Sequence, residues 1–74
     1  MSDAAKHAEL ALLAARAEAA VERMYGMGGA GAYSEAKDLY CDAIALAKSL
    51  GDDARARELE ARLADVKESF RRMG

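Results

Sequence analysis

The sequence predicts an all-α fold, an antiparallel three-helix bundle, and three observations carry that expectation. Alanine fills 19 of the 74 positions and proline none, a balance that favours helix because alanine loses no side-chain freedom there. Sheet-forming residues are scarce, with two Val, one Ile, one Phe and no Trp. Glycines gather at 26–31 and again at 51, and between them lie three amphipathic stretches. Glycine is costly inside a helix and favoured just after one, so helices are expected at about 3–25, 33–50 and 53–73, within a single domain spanning 1–74. The short connectors make neighbouring helices antiparallel.

In the first helix, which Ser2 or Asp3 can cap, Leu10, Leu13, Ala17, Ala20, Val21 and Met24 draw a core stripe. On its far side Ala4, Ala8, Ala11, Leu12, Ala15 and Ala19 form a second strip of small residues around one leucine. Alanine as the best helix former explains most of that strip, but not Leu12. The second helix, with Ser34 at its start, has Tyr33, Ala36, Leu39, Tyr40, Ala43, Ile44, Leu46, Ala47 and Leu50 within an apolar arc of about 160°. So wide an arc should touch two neighbours, which puts this helix in the centre. The third begins at Asp52 or Asp53 as cap. Ala56, Leu59, Leu63, Val66, Phe70 and Met73 follow alternating three- and four-residue steps, one narrow stripe. Glu58–Arg62 and Glu68–Arg72 are spaced to pair on its solvent side, and Arg71 and Arg72 suit the negative end of its dipole.

Charge argues against several functions. The net value is −2 with acids and bases interspersed, so no segment offers the positive field that nucleic acid or an anionic membrane needs. No apolar run approaches a bilayer span, and MSDAAKHAEL lacks a basic-then-apolar leader pattern. Membrane insertion is not expected. The lone Cys41 cannot form an internal disulfide, which fits a reducing, cytoplasmic compartment.

Catalysis is not expected either. His7, the only histidine, has no ligand-spaced partner, so no metal site is read here. Cys41 beside Tyr40 and Asp42 lacks a base or positive neighbour to activate it. The run GMGGAG at 26–31 follows a helix rather than a strand and lacks a phosphate-binding lysine, so it reads as a connector. Asp52–Asp53 and Glu58/Glu60 read as capping and surface charge rather than opposed catalytic acids. Tyr33 and Tyr40 fall on the core arc, hydroxyls toward the rim. No cofactor is implied.

The stretch 31–44, with Gly31, Tyr33, Glu35-Ala36, Tyr40 and Ala43-Ile44, resembles the second helix of a tetratricopeptide repeat. There Ala36 and Ala43 would let the paired helix pack closely. The same pattern is similar to the second helix of the MIT domain, the microtubule-interacting and trafficking module, a three-helix bundle whose first two helices look like a tetratricopeptide hairpin. The presence of one hairpin followed by a long third helix favours the MIT-like resemblance, since repeat arrays need several copies to bury their faces. Against both families, the first helix lacks the repeat's glycine and large aromatic, and the connector is richer in glycine. A tetratricopeptide-like hairpin with an added helix, or an unrelated bundle, stays open beside it.

The resemblance implies a non-catalytic protein–protein interaction module that binds short amphipathic helical peptides in an interhelical groove. A groove between helices 2 and 3 would be bordered by Leu46, Leu50, Leu63 and Val66, with Arg62 and Asp65 at its rim. One between helices 1 and 3 would involve Leu13, Ala17, Ala61 and Ala64. The partner is then a protein or peptide. The alternative is a self-associating structural domain, a homo-oligomer that uses Ala4, Ala8, Leu12, Ala15 and Ala19 as its seam.

Overall fold

A computed structural model describes residues 3–73 as α1 (Asp3–Arg23), one π-helical turn (Met24–Gly28), α2 (Gly29–Ser49) and α3 (Asp53–Met73). The class is the expected one: three helices packed on one another, with no strand among the described residues. α2 runs down the middle, and α1 and α3 each pack along it while touching one another far less. The Cα atoms span 43 × 19 × 12 Å, a thin slab.

α3 covers the expected residues, but α1 and α2 do not separate where the glycines suggested. The first helix leaves α geometry at Arg23 and widens into the π turn, and α2 already begins at Gly29, so Ser34 lies inside α2 rather than at its start. The reason is that one residue accomplishes the reversal. Gly29 takes φ 54 and ψ −134, while Gly26 and Gly31 keep negative φ and are absorbed into helical turns. The glycine run reads as a linker in sequence; of Gly26, Gly29 and Gly31, only Gly29 takes a positive φ and so needs glycine's freedom.

The α2–α3 turn is a Schellman closure. Asp52 N–H donates to Ala47 O at 2.9 Å and Gly51 N–H to Lys48 O at 3.0 Å, with Gly51 at φ 76. Asp52 then caps α3 by accepting from the Arg55 N–H at 3.1 Å. A Cβ at either Gly29 or Gly51 would meet no atom within 4 Å, so substitution is penalised by the backbone alone. Gly51→Ala is expected to cost about 1–2 kcal/mol, the ordinary left-handed penalty. Gly29→Ala should cost more, up to about 3 kcal/mol, because its ψ lies outside the left-handed well. Urea unfolding of the two variants checks the order.

The interior is built largely from alanine. Ala17, Ala20, Ala36, Ala43 and Ala47 are wholly buried, all on α1 or α2, so small side chains seal that hairpin. Bulk comes from Tyr40, Met24 and Val66, the largest fully buried side chains, with Leu10, Leu59 and Leu63 around them. Two stripe positions are corrected. In α1 it is Ala14 that is buried, while Leu13 is half-buried at the edge. In α3 Met73, the last residue of the helix, is 49% exposed. Phe70 stacks on Tyr33 at 3.9 Å between ring centroids, and the Lys37 ammonium lies 4.8 Å from the Tyr33 ring.

Candidate interaction groove

Side-chain positioning begins with a polar node that joins all three helices. Glu18 of α1 accepts a fork from Arg62 of α3, Nε at 2.8 Å and Nη2 at 2.9 Å, and it also accepts the Tyr40 hydroxyl from α2. The expected Glu58–Arg62 pair is therefore not formed, since a two-pronged carboxylate across helices outcompetes a single exposed contact along one. Glu58 pairs with Arg55 instead, at 3.3 Å, while Glu68–Arg72 forms as expected at 3.5 Å.

The Arg62 fork is the main influence holding the Glu18 carboxyl below its ordinary range, and burial foremost, then the bond to Glu18, pushes the Tyr40 phenol up to about 12. The folded state thus prefers the ionised carboxylate and the neutral phenol. Stability from Glu18 is present above its ordinary value of 4.5 and is lost as pH falls below it; that from Tyr40 is present below its ordinary 10 and is lost as pH climbs toward 12. The melting temperature measured against pH should fall at both ends, and Tyr40→Phe should flatten the alkaline limb relative to the unaltered chain.

With α3 so anchored on its Arg62 flank, its opposite flank and α2 enclose an open groove of about 560 Å³. Cys41, Ile44, Ala45 and Lys48 form one wall, and Glu60, Leu63, Ala64 and Lys67 the other. Both walls repeat the same spacing, one ridge of a helical face over two turns. Ile44 and Leu63 make the floor. Because the helices are antiparallel, Lys48 and Glu60 meet at one end, 3.3 Å apart, and Cys41 and Lys67 share the other. Lys67 forms no ion pair among the described residues. The groove can take apolar side chains on its floor and pair charges at its ends.

Of the residues expected at a helix 2–helix 3 site, only Leu63 lies in this groove. Val66 is 1% exposed and belongs to the core, out of a partner's reach. Leu46 and Leu50 are half-buried against the core, Arg62 is committed to Glu18 on the other flank, and Asp65 is exposed outside the groove. The alternative helix 1–helix 3 set is scattered: Ala17 is wholly buried, Leu13 half-buried, Ala61 exposed, and Ala64 part of the α2–α3 groove. Reading outward from the middle of each apolar stripe missed six of the other lining residues and put Ala64 in the helix 1–helix 3 groove. The signal lay at the edges, where Ile44 and Leu63 each have small or long-stemmed neighbours one, three and four positions away.

The second strip of α1 is on the surface throughout: Ala4, Ala8, Leu12, Ala15 and Ala19 are all exposed, and Leu12 is 57% accessible. His7 is exposed, and no group of three or more metal-ligating side chains occurs among the described residues. No helix among them is long and apolar enough to cross a membrane. Comparison with protein-family models, curated proteins and solved structures finds no match, so the likeness of 31–44 to tetratricopeptide and MIT helices stands on its own residues.

Proposed function

We propose that this chain is a non-catalytic interaction module that binds a short amphipathic helix in the α2–α3 groove. The observation that carries the reading is the groove itself, two helical turns long, with Ile44 and Leu63 on its floor and charged side chains at its ends. Ridges at that spacing receive a helix that presents side chains at three- and four-residue steps. The resemblance to MIT and tetratricopeptide modules supports the same class of activity. A second reading, self-association through α1, is favoured by the exposed Leu12.

The test is an amide chemical-shift titration with a designed two-turn amphipathic peptide bearing leucines on one face and an acid and a base on its flank. Shifts confined to 41–48 and 60–67, abolished by Ala64→Arg, are expected. Shifts spread over all three helices, or unaffected by Ala64→Arg, overturn the reading.

A further inference from the structure

We infer that the helix this groove fits is the outer face of α1 from a second copy of the chain, so that copies join head to tail. The inference rests on the groove reading above and adds the identity of the partner. Its basis is a match of shape and charge between two surfaces that one molecule cannot bring together. The groove lies on the Ala64 flank of α3, whereas α1 holds the Arg62 flank.

On α1, Leu12 projects from the outer face at 57% exposure. At about 100° per residue, Glu9 and Arg16 lie about 40–60° to one side of it, and Ala8 and Ala15 as far to the other. The strip thus has an apolar knob in the middle, a charged edge and an alanine edge. Neither Glu9 nor Arg16 forms an ion pair among the described residues. On the groove, the α3 wall carries Lys67, without an ion pair among the described residues, at one end and Glu60, half-exposed and already 3.3 Å from Lys48, at the other, with Leu63 between them.

Glu9 and Arg16 are seven residues apart, and so are Glu60 and Lys67, about 10.5 Å along each axis. Laid antiparallel to α3, the incoming α1 sets Glu9 against Lys67 and Arg16 against Glu60, and Leu12 falls midway, over Ile44 and Leu63. The handedness of the two helices also agrees. In that direction the charged edge faces α3, and Ala8 and Ala15 face α2, where small side chains allow a close approach beside Ala45. The parallel arrangement opposes like charges at both ends, which is unfavourable.

Since knob and groove lie on different faces, the contact is heterologous, and each copy leaves one knob and one groove free for the next. Size-exclusion chromatography with light scattering and sedimentation velocity on the full chain test this, with circular dichroism to verify folding of each variant. Leu12→Glu and Ala64→Arg change exposed positions and should each stop assembly alone. Mixed, they should form a one-to-one dimer, because one supplies an intact groove and the other an intact knob. Glu9→Lys should weaken association at least about tenfold, and adding Lys67→Glu to it should restore it. An unaltered chain that stays monomeric near ~1 mM, or an Ala64→Arg variant that assembles like the parent, overturns the inference. If the designed peptide still maps to 41–48 and 60–67 in that case, only self-docking falls; if it does not, the groove reading falls as well.

Discussion

Leu59→Ala is expected to bring the chain to the edge of unfolding at room temperature. Leu59 is buried in the middle of the α3 stripe, and truncating a core leucine removes about 2–5 kcal/mol, part transfer energy and part cavity. A domain of this size has a total margin of only about 3–5 kcal/mol, so one such loss consumes most of it. The informative control is Met73→Ala. Met73 sits on the same periodic stripe, yet it is half-exposed at the helix end, and its truncation should shift stability by no more than about 0.5 kcal/mol. Urea unfolding followed by circular dichroism separates the two; equal losses would contradict the packing described.

Ala43→Leu is the opposite kind of insult and should cost about 1–3 kcal/mol. Ala43 is wholly buried, where the α1–α2 hairpin has room for a methyl group but not for an isobutyl. The same change at Ala45, exposed on the groove wall, should be nearly neutral. Leucine and alanine have similar helix propensities, so the difference between the two variants isolates the packing. Thermal melts of the pair give the comparison directly.

Much of the fold was legible because its signals are additive along the chain. Periodicity over five or six turns identified the buried faces of α2 and α3, and Asp52 and Gly51 mark the turn by their chemistry alone. The hairpin tip was not legible in the same way. Whether Gly26, Gly29 or Gly31 carries the reversal depends on how α1 and α2 meet, which no local preference specifies. The groove was harder still. Its walls are the margins of apolar arcs, where Ala45 and Ala64 count as filler in a wheel diagram, and they become a surface only when two helices stand side by side. Arg62 shows the same limit: its best partner is Glu18, 44 residues away, rather than the acid one turn along its own helix.

The node of Glu18, Tyr40 and Arg62 has a consequence for how the molecule comes apart. α1 and α2 are zipped by alanines along their length, whereas α3 has no comparable seam with α1 and is latched to it by one guanidinium fork. The cheapest opening is therefore for α3 to swing out like a door, baring Leu59, Leu63 and Val66 while the hairpin stays shut. Amide hydrogens of 56–70 should exchange through this partial opening ahead of those at 36–47. Unfastening the latch with Arg62→Gln should speed the first group and leave the second nearly unchanged.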